Sequence, residues 1–295
     1  MKTSNPLHTF RAIVIWLAFL AILAPSFAAA GLGEPVPPKC AVLIGIDNYN
    51  SGAVSNLKFC KADVKLFNDA LLQRGFKKDH IIILTDDAED VSLKPTKENI
   101  LKVLENLNNI SNAEMVIVYF SGHAWTPDDV PMLIPMNFEH ERPTETGLTV
   151  RDLVDSLKEC EADSRLFLID SHPFPRDVEN KKEQLVLPPR TALLCAAKPG
   201  FMAYESREHK NGVFTRHLVD GLLGEADRQG DSNGEVDLAE LYLYVKSQMA
   251  ENKEFGRRLV PGLIVSNDID DLFNLTIVKE LPDESELTNP ESPNR

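Results

Sequence analysis

Two stretches, MVIVYF from Met115 to Phe120 and RLFLID from Arg165 to Asp170, are almost continuously aliphatic and run straight into polar residues. A strand that is apolar on both faces must be covered on both, so such runs belong in the middle of a parallel sheet flanked by helices. The first ends in SGHA, Ser121 to Ala124, and the second in DSHP, Asp170 to Pro173. If the two strands are parallel neighbours, both turns leave the same edge of the sheet. Open α/β sheets bind their ligands at that edge, and His123 would then face residues 170 to 172 across the crevice.

The rest of the chain alternates in the same way. Short aliphatic runs (CAVLIGI, IIIL, TALLCAA and a last strand near LFNLTIV) are separated by helical periodicity over residues 56–74, 97–107, 213–223 and 238–249. A further helix carries Val150, Leu153, Val154 and Leu157 on one face. The pattern predicts an α/β fold over residues 39–279, with a predominantly parallel central sheet of about six strands and helices on both faces. No repeat of roughly 20 to 50 residues is apparent, which argues against a solenoid.

Residues 1–30 are expected to be a signal peptide: Lys2 and Arg11 precede the apolar run Ala12 to Ala24, and SFAAAG follows. That run has 13 residues, against about 20 for a membrane span, so the expectation is a secreted or periplasmic protein with no stable membrane insertion after cleavage. Removing two positive charges and no acid takes the formal net charge from −14 to −16, which argues against nucleic acid as a partner. Residues 280–295 read as a disordered acidic tail. The four cysteines are too sparse for a disulfide-stapled scaffold. Cys60 falls in the helical stripe Leu57, Cys60, Val64, Phe67, Leu71, and Cys195 lies inside an apolar strand, so packing is the expected role of both.

On these motifs the chain resembles the caspase, metacaspase and paracaspase clan of cysteine peptidases, in particular its exported bacterial-type caspase-like domains. CAVLIGIDNYN with LKFCKADVKLFNDALLQRGF is similar to the family's first strand and helix. VIVYFSGHAW resembles the strand that ends in Ser-Gly-His-Gly, MLIPMN the next short strand, and TGLTVRDL the helix before the nucleophile strand. TALLCAAKPGFMAYES, GVFTRHLVDGLLGEAD and NGEVDLAELYLYV follow in the family's order. Where the family has a hydrophobic strand ending Asp-Ala/Ser-Cys, this chain has FLIDSHPFP. Position 172 lies 49 residues after His123, close to the roughly 50 that separate histidine and cysteine in caspases.

The resemblance implies that His123 is the dyad histidine and that His172 occupies the position of the nucleophilic cysteine. A neutral imidazole is a poor attacker of an unactivated amide, and without a thiolate the covalent step is lost. Ala124 stands where the family has glycine, and Pro173 and Pro175 remove N–H donors just after the nucleophile position. Asp170 has two readings: an acidic pocket for Arg or Lys, as the resemblance to metacaspases implies, or an acceptor at a strand end. Ser171 as a substitute nucleophile and a metal held by His123, His172 and Asp170 are lesser alternatives.

One motif stands apart. In DSNGEVDLAE, the residues Asp231, Asn233, Gly234, Asp237 and Glu240 fit positions 3, 5, 6, 9 and 12 of an EF-hand-like loop, with Gln229 at position 1. Asp231, Asn233, Asp237 and Glu240 are thus candidate ligands for Ca2+, and no other cofactor is implied. Taken together, the sequence predicts an exported pseudopeptidase that binds peptides or protein partners. The alternatives are a working endopeptidase or hydrolase with an unexpected nucleophile, and a calcium-responsive binding module.

Overall fold

The structure, a computed structural model, describes residues 38–127, 130–171, 185–255, 258–267 and 275–279, all within one compact unit. The expected signal segment, His172 with the prolines after it, and the expected acidic tail lie outside the described residues.

The chain begins with β1 (Lys39–Gly45), α1 (Cys60–Gln73), β2 (Ile81–Thr85), α2 (Lys97–Asn106) and β3 (Ala113–Ser121). Three short strands, β4 (Ala124–Trp125), β5 (Met132–Leu133) and β6 (Leu148–Thr149), form a small antiparallel sheet. The helices α3 (Pro143–Thr146) and α4 (Val150–Ser156) lead to β7 (Ala162–Asp170) and β8 (Thr191–Cys195). A ribbon of β9 (Glu205–Ser206) and β10 (Asn211–Gly212) precedes α5 (Val213–Asp220) and α6 (Ala226–Gln229). The last elements are β11 (Glu235–Asp237), α7 (Leu238–Glu251), β12 (Gly262–Val265) and β13 (Thr276–Lys279).

Six strands form the central sheet in the order β12-β8-β7-β3-β1-β2, parallel throughout except for β12, which runs antiparallel to β8. The two aliphatic runs are adjacent central strands, as expected. Alternation divides their side chains between two cores. Met115, Ile117, Tyr119, Leu166 and Leu168 pack with α1, α5 and α7 on one face. Val116, Val118, Phe120, Phe167 and Ile169 pack with α2 and α4 on the other. Caps set the helix starts: Thr96 Oγ1 accepts from Asn99 N at 3.2 Å at the head of α2, and Thr149 with Asp152 closes a capping box on α4.

Two elements differ from expectation. The sixth strand of the main sheet is β12, whose run GLIV is too short to carry a periodic signal. The strand expected near LFNLTIV is β13, and it pairs with β11 in a separate two-stranded ribbon. In addition α1 starts at Cys60, four residues later than its periodicity implied, because the amides of Lys58 and Phe59 donate to a distant carboxylate, Glu205.

Phe167 is fully buried in a central strand. Phe167→Ala is therefore expected to lower the unfolding free energy by about 3–5 kcal/mol, read from urea denaturation. A loss below about 1 kcal/mol would contradict a close-packed layer at that position.

Candidate functional site

Order reverses between β1 and β3, the point where an open sheet leaves a crevice at the carboxyl ends of its strands. The register pairs Gly45 with Ser121 and Ser121 with Asp170, so β1, β3 and β7 end level. A cavity of about 360 Å³ opens there, and Cys60, Asp63, Ser121, His123, Asp170 and Glu205 all line it. The two polar turns thus share one edge, and His123, Asp170 and Ser171 meet at one cavity.

The cavity floor is acidic. Asp63, on the first turn of α1, is 1% exposed, and Asp170 at the end of β7 is 7% exposed. Asp63 Oδ1 accepts from Gly212 N at 2.8 Å and Asn211 Nδ2 at 3.0 Å, and its Oδ2 accepts from Ser121 Oγ at 2.9 Å. Asp170 Oδ2 accepts from Thr215 Oγ1 at 2.6 Å and Thr215 N at 3.2 Å. Among the described residues neither carboxylate has a cationic partner. Burial, and then the charge of Asp170, hold the Asp63 carboxyl well above its ordinary range. Burial pushes Asp170 up to about 6, the Thr215 donors opposing it and Glu205 adding to it.

Gly212 makes this convergence possible. A Cβ there would overlap Asp170 Oδ2 and stand 3.1 Å from Asp63 Oδ2, so both carboxylates crowd the same side of Gly212. At Gly45 a Cβ would stand 2.7 Å from the Cys60 carbonyl oxygen, which is why α1 can start directly against the end of β1. That helix start is held from two sides: Asp47 Oδ1 accepts from Cys60 N at 2.8 Å, and Glu205 Oε1 accepts from Phe59 N at 2.8 Å and Lys58 N at 3.0 Å. The ligand atoms of Asp47, Cys60 and Glu205 lie within 4.8 Å of one another, and their amide bonds make them a cap for α1.

His123 follows β3 and is half-buried. Its Nε2 lies 2.8 Å from the Ser55 carbonyl oxygen, which can only accept, so Nε2 carries the hydrogen and Nδ1 the lone pair of the neutral ring. Burial lowers its pKa, against the Ser55 bond and Glu205, which keeps the ring neutral at neutral pH. Its backbone N donates to Tyr49 Oη at 2.8 Å. Chemically this is a histidine ready to accept a proton. Among the described residues, no group of three metal-ligating side chains includes His123 or Asp170.

The caspase domain family matches residues 38–273, the stretch that builds this sheet and this cavity. The chain belongs to that family. Metacaspase-1 of Scheffersomyces stipitis is 26% identical over 219 residues, 66% of this chain and 51% of that protein. Metacaspase-3 of Arabidopsis thaliana is 37% identical over 100 residues, 33% of this chain and 27% of that protein. The chain spans about half or less of the length of these curated relatives. The crystal structure of Caspase-1 from Spodoptera frugiperda superposes with a TM-score of 0.53 at 13% identity, covering 77% of this chain and 86% of that one. The fold is the caspase-like fold that the sequence predicted.

In this caspase domain none of the four cysteines is an activated thiol. Cys195 donates to the carbonyls of Ala197 at 3.3 Å and Gly262 at 3.5 Å, and burial pushes it up to about 12. Burial also raises Cys40 and Cys160. Cys60 alone lines the cavity, and burial holds its thiol well above the ordinary value. Ser171 is 2% exposed, and its Oγ has no hydrogen-bond partner among the described residues. The buried hydroxyl offers no open face for attack.

The EF-hand-like loop closes around a different carboxylate set from the expected one. Oxygens of Asp227, Asp231 and Glu240 lie within 4.8 Å of one another. Asp237 is instead the N-cap of α7, its Oδ1 accepting from Glu240 N at 2.8 Å. Asn233 Oδ1 accepts from Glu235 N at 2.7 Å. Asp227, two residues before Gln229, supplies the carboxylate that the pattern lacks at its first position. Three carboxylates converge there; calcium takes six to eight oxygens, from carboxylates, carbonyls and water together.

Sequence reasoning missed Asp63, Glu205 and Gly212. Asp63 carried a usable signal: three residues after Cys60, it sits on the same face as the buried stripe, where an unpaired acid is out of place. Asp170→Asn tests the electrostatics, because an amide can keep both Thr215 donors while abolishing the charge. A carboxyl with its folded pKa raised from about 3.8 to about 6 loses stability as pH climbs through that window. The variant should match the parent in unfolding free energy at pH 4 and exceed it by up to about 3 kcal/mol at pH 8, in denaturant titrations at the two pH values.

Proposed function

We propose that this caspase domain is an exported pseudopeptidase that binds peptides or protein segments through a lysine or arginine side chain placed in the Asp63–Asp170 cavity. The observation that carries the binding half is the pair of buried carboxylates that have no cationic partner among the described residues, facing a cavity at the sheet's switch point. Burying charge without a partner is unfavourable, and a ligand cation supplies the missing counter-charge. The family resemblance, which gives Asp170 an Arg/Lys pocket as its counterpart, agrees in ligand class.

The absence of a thiol supports the non-catalytic half. No cysteine occurs in the chain between Cys160 and Cys195, so nothing at the end of β7 can form the acyl-thioester that His123 would serve. His172 stands where the register requires that cysteine. The export half rests on the N-terminal segment alone, with its basic residues, its 13-residue apolar run and its small-residue exit.

A panel of fluorogenic peptides with Arg or Lys at the site of cleavage is expected to bind without turnover. Binding should weaken at least tenfold in Asp63→Ala and Asp170→Ala, measured by fluorescence anisotropy. Turnover that disappears in His123→Ala would show a working peptidase instead. For export, N-terminal sequencing of the protein recovered outside the cytoplasm of an expression host should begin at Gly31; an intact Met1 there would contradict cleavage.

A further inference from the structure

Between ligands, the cavity must accommodate two carboxylates with almost nothing to balance them. Asp63 has three donors and Asp170 two, both of the latter on Oδ2, and no donor reaches Asp170 Oδ1 among the described residues. Both carboxylates crowd Gly212, where an added Cβ would overlap Asp170 Oδ2 and stand 3.1 Å from Asp63 Oδ2. Like charges this close and this buried do not both ionise; such a pair titrates as a unit and retains one proton over a wide pH range.

The surrounding groups do not relieve the repulsion. On α1, Cys60 is held neutral by burial. From β3, Tyr119 is held neutral in the same way, with its hydroxyl 2.5 Å from Thr215 Oγ1, and His123 is neutral for the reasons given above. Glu205, from β9, adds a third negative group. Lys58 and Arg207 line the cavity rim, where both are exposed, and neither pairs with Asp63 or Asp170.

We propose that the cavity exchanges a proton for a cation: the proton shared by Asp63 and Asp170 leaves to solvent as a lysine or arginine side chain of a bound peptide enters. The inference rests on the binding function proposed above and adds its regulation. In the free protein the pair carries one negative charge, and in the complex two negative charges face one positive charge. The net charge of the site is therefore lower by one proton relative to simple addition of the ligand, and acid releases the ligand. Below about pH 6, where Asp170 also takes up a proton, the pair is neutral and offers a cation nothing.

Isothermal titration of the full chain separates the possibilities. An acetylated, amidated arginyl peptide and its citrulline isostere, neither with an ionisable backbone terminus, are titrated from pH 5 to 8 in two buffers of different ionisation heat. The expected result at pH 7 is release of about one proton per arginyl peptide, with affinity rising by up to about tenfold per pH unit above pH 6. The citrulline peptide should bind weakly, with no proton release. In Asp170→Asn, which leaves one carboxylate to face the cation, the arginyl peptide should bind more weakly; if that variant does not fold, the two-buffer measurement on the parent protein decides alone. Arginyl binding that is independent of pH and buffer would overturn the exchange and leave the binding function standing. Equal proton release with citrulline would overturn the exchange as well. No arginyl binding at any pH would overturn both.

Discussion

The pair Asp63 and Asp170, buried at one cavity with hydrogen-bond donors but, among the described residues, no counter-ion, organises everything around it. Its donors come from three elements: the Ser121 hydroxyl at the end of β3, the Asn211 and Gly212 groups of β10, and Thr215 on the first turn of α5. Each of these must stay where it is for the charges to be tolerable, since a buried polar group left unpaired loses about 1–3 kcal/mol. Gly212 is held to glycine by the same geometry, because any side chain would enter the space of the Asp170 carboxylate. A site that is unfavourable when empty is thus held together by the surrounding elements of the fold.

The sheet supplies the rigidity for this. β3 and β7 carry fully buried aliphatic and aromatic layers on both faces and pair over eight positions, from Ala113 with Ala162 to Ser121 with Asp170. Because side chains alternate, Ser121 and Asp170 fall on the same face as Tyr119 and Leu168, the face that α1 and α5 cover. The helices that pack that face therefore also deliver Asp63 and Thr215. Core packing and the placement of the site are one arrangement here.

Membership of the caspase domain family and the chemistry of this chain are separate matters. The fold is that of a peptidase family, and the shape of the cavity is set by the sheet and its helices whatever chemistry its edge carries. The four thiols are all buried, which leaves the cavity lined by Asp63 and Asp170 as the chemically distinctive part of the molecule.

Much of this was legible in the residues. The two aliphatic runs ending in polar turns implied a parallel sheet with one functional edge, and taking those runs as parallel neighbours put both turns at it. Asp170 was readable as either a residue of an acidic Arg/Lys pocket or a strand-end acceptor; the structure shows it accepting from Thr215 and lining the cavity, and a bound cation there is our proposal. What only the tertiary structure decided was the company that Asp170 keeps. Asp63 is 107 positions away in the chain and Gly212 is 42, and no local periodicity links residues that far apart. The short strand β12, the pairing of β13 with β11, and the entry of Asp227 into the acidic loop were hidden for the same reason. Hydrophobic alternation is a local property that a sequence displays directly, whereas convergence of charges is a property of distance in space, and only the packed chain determines it.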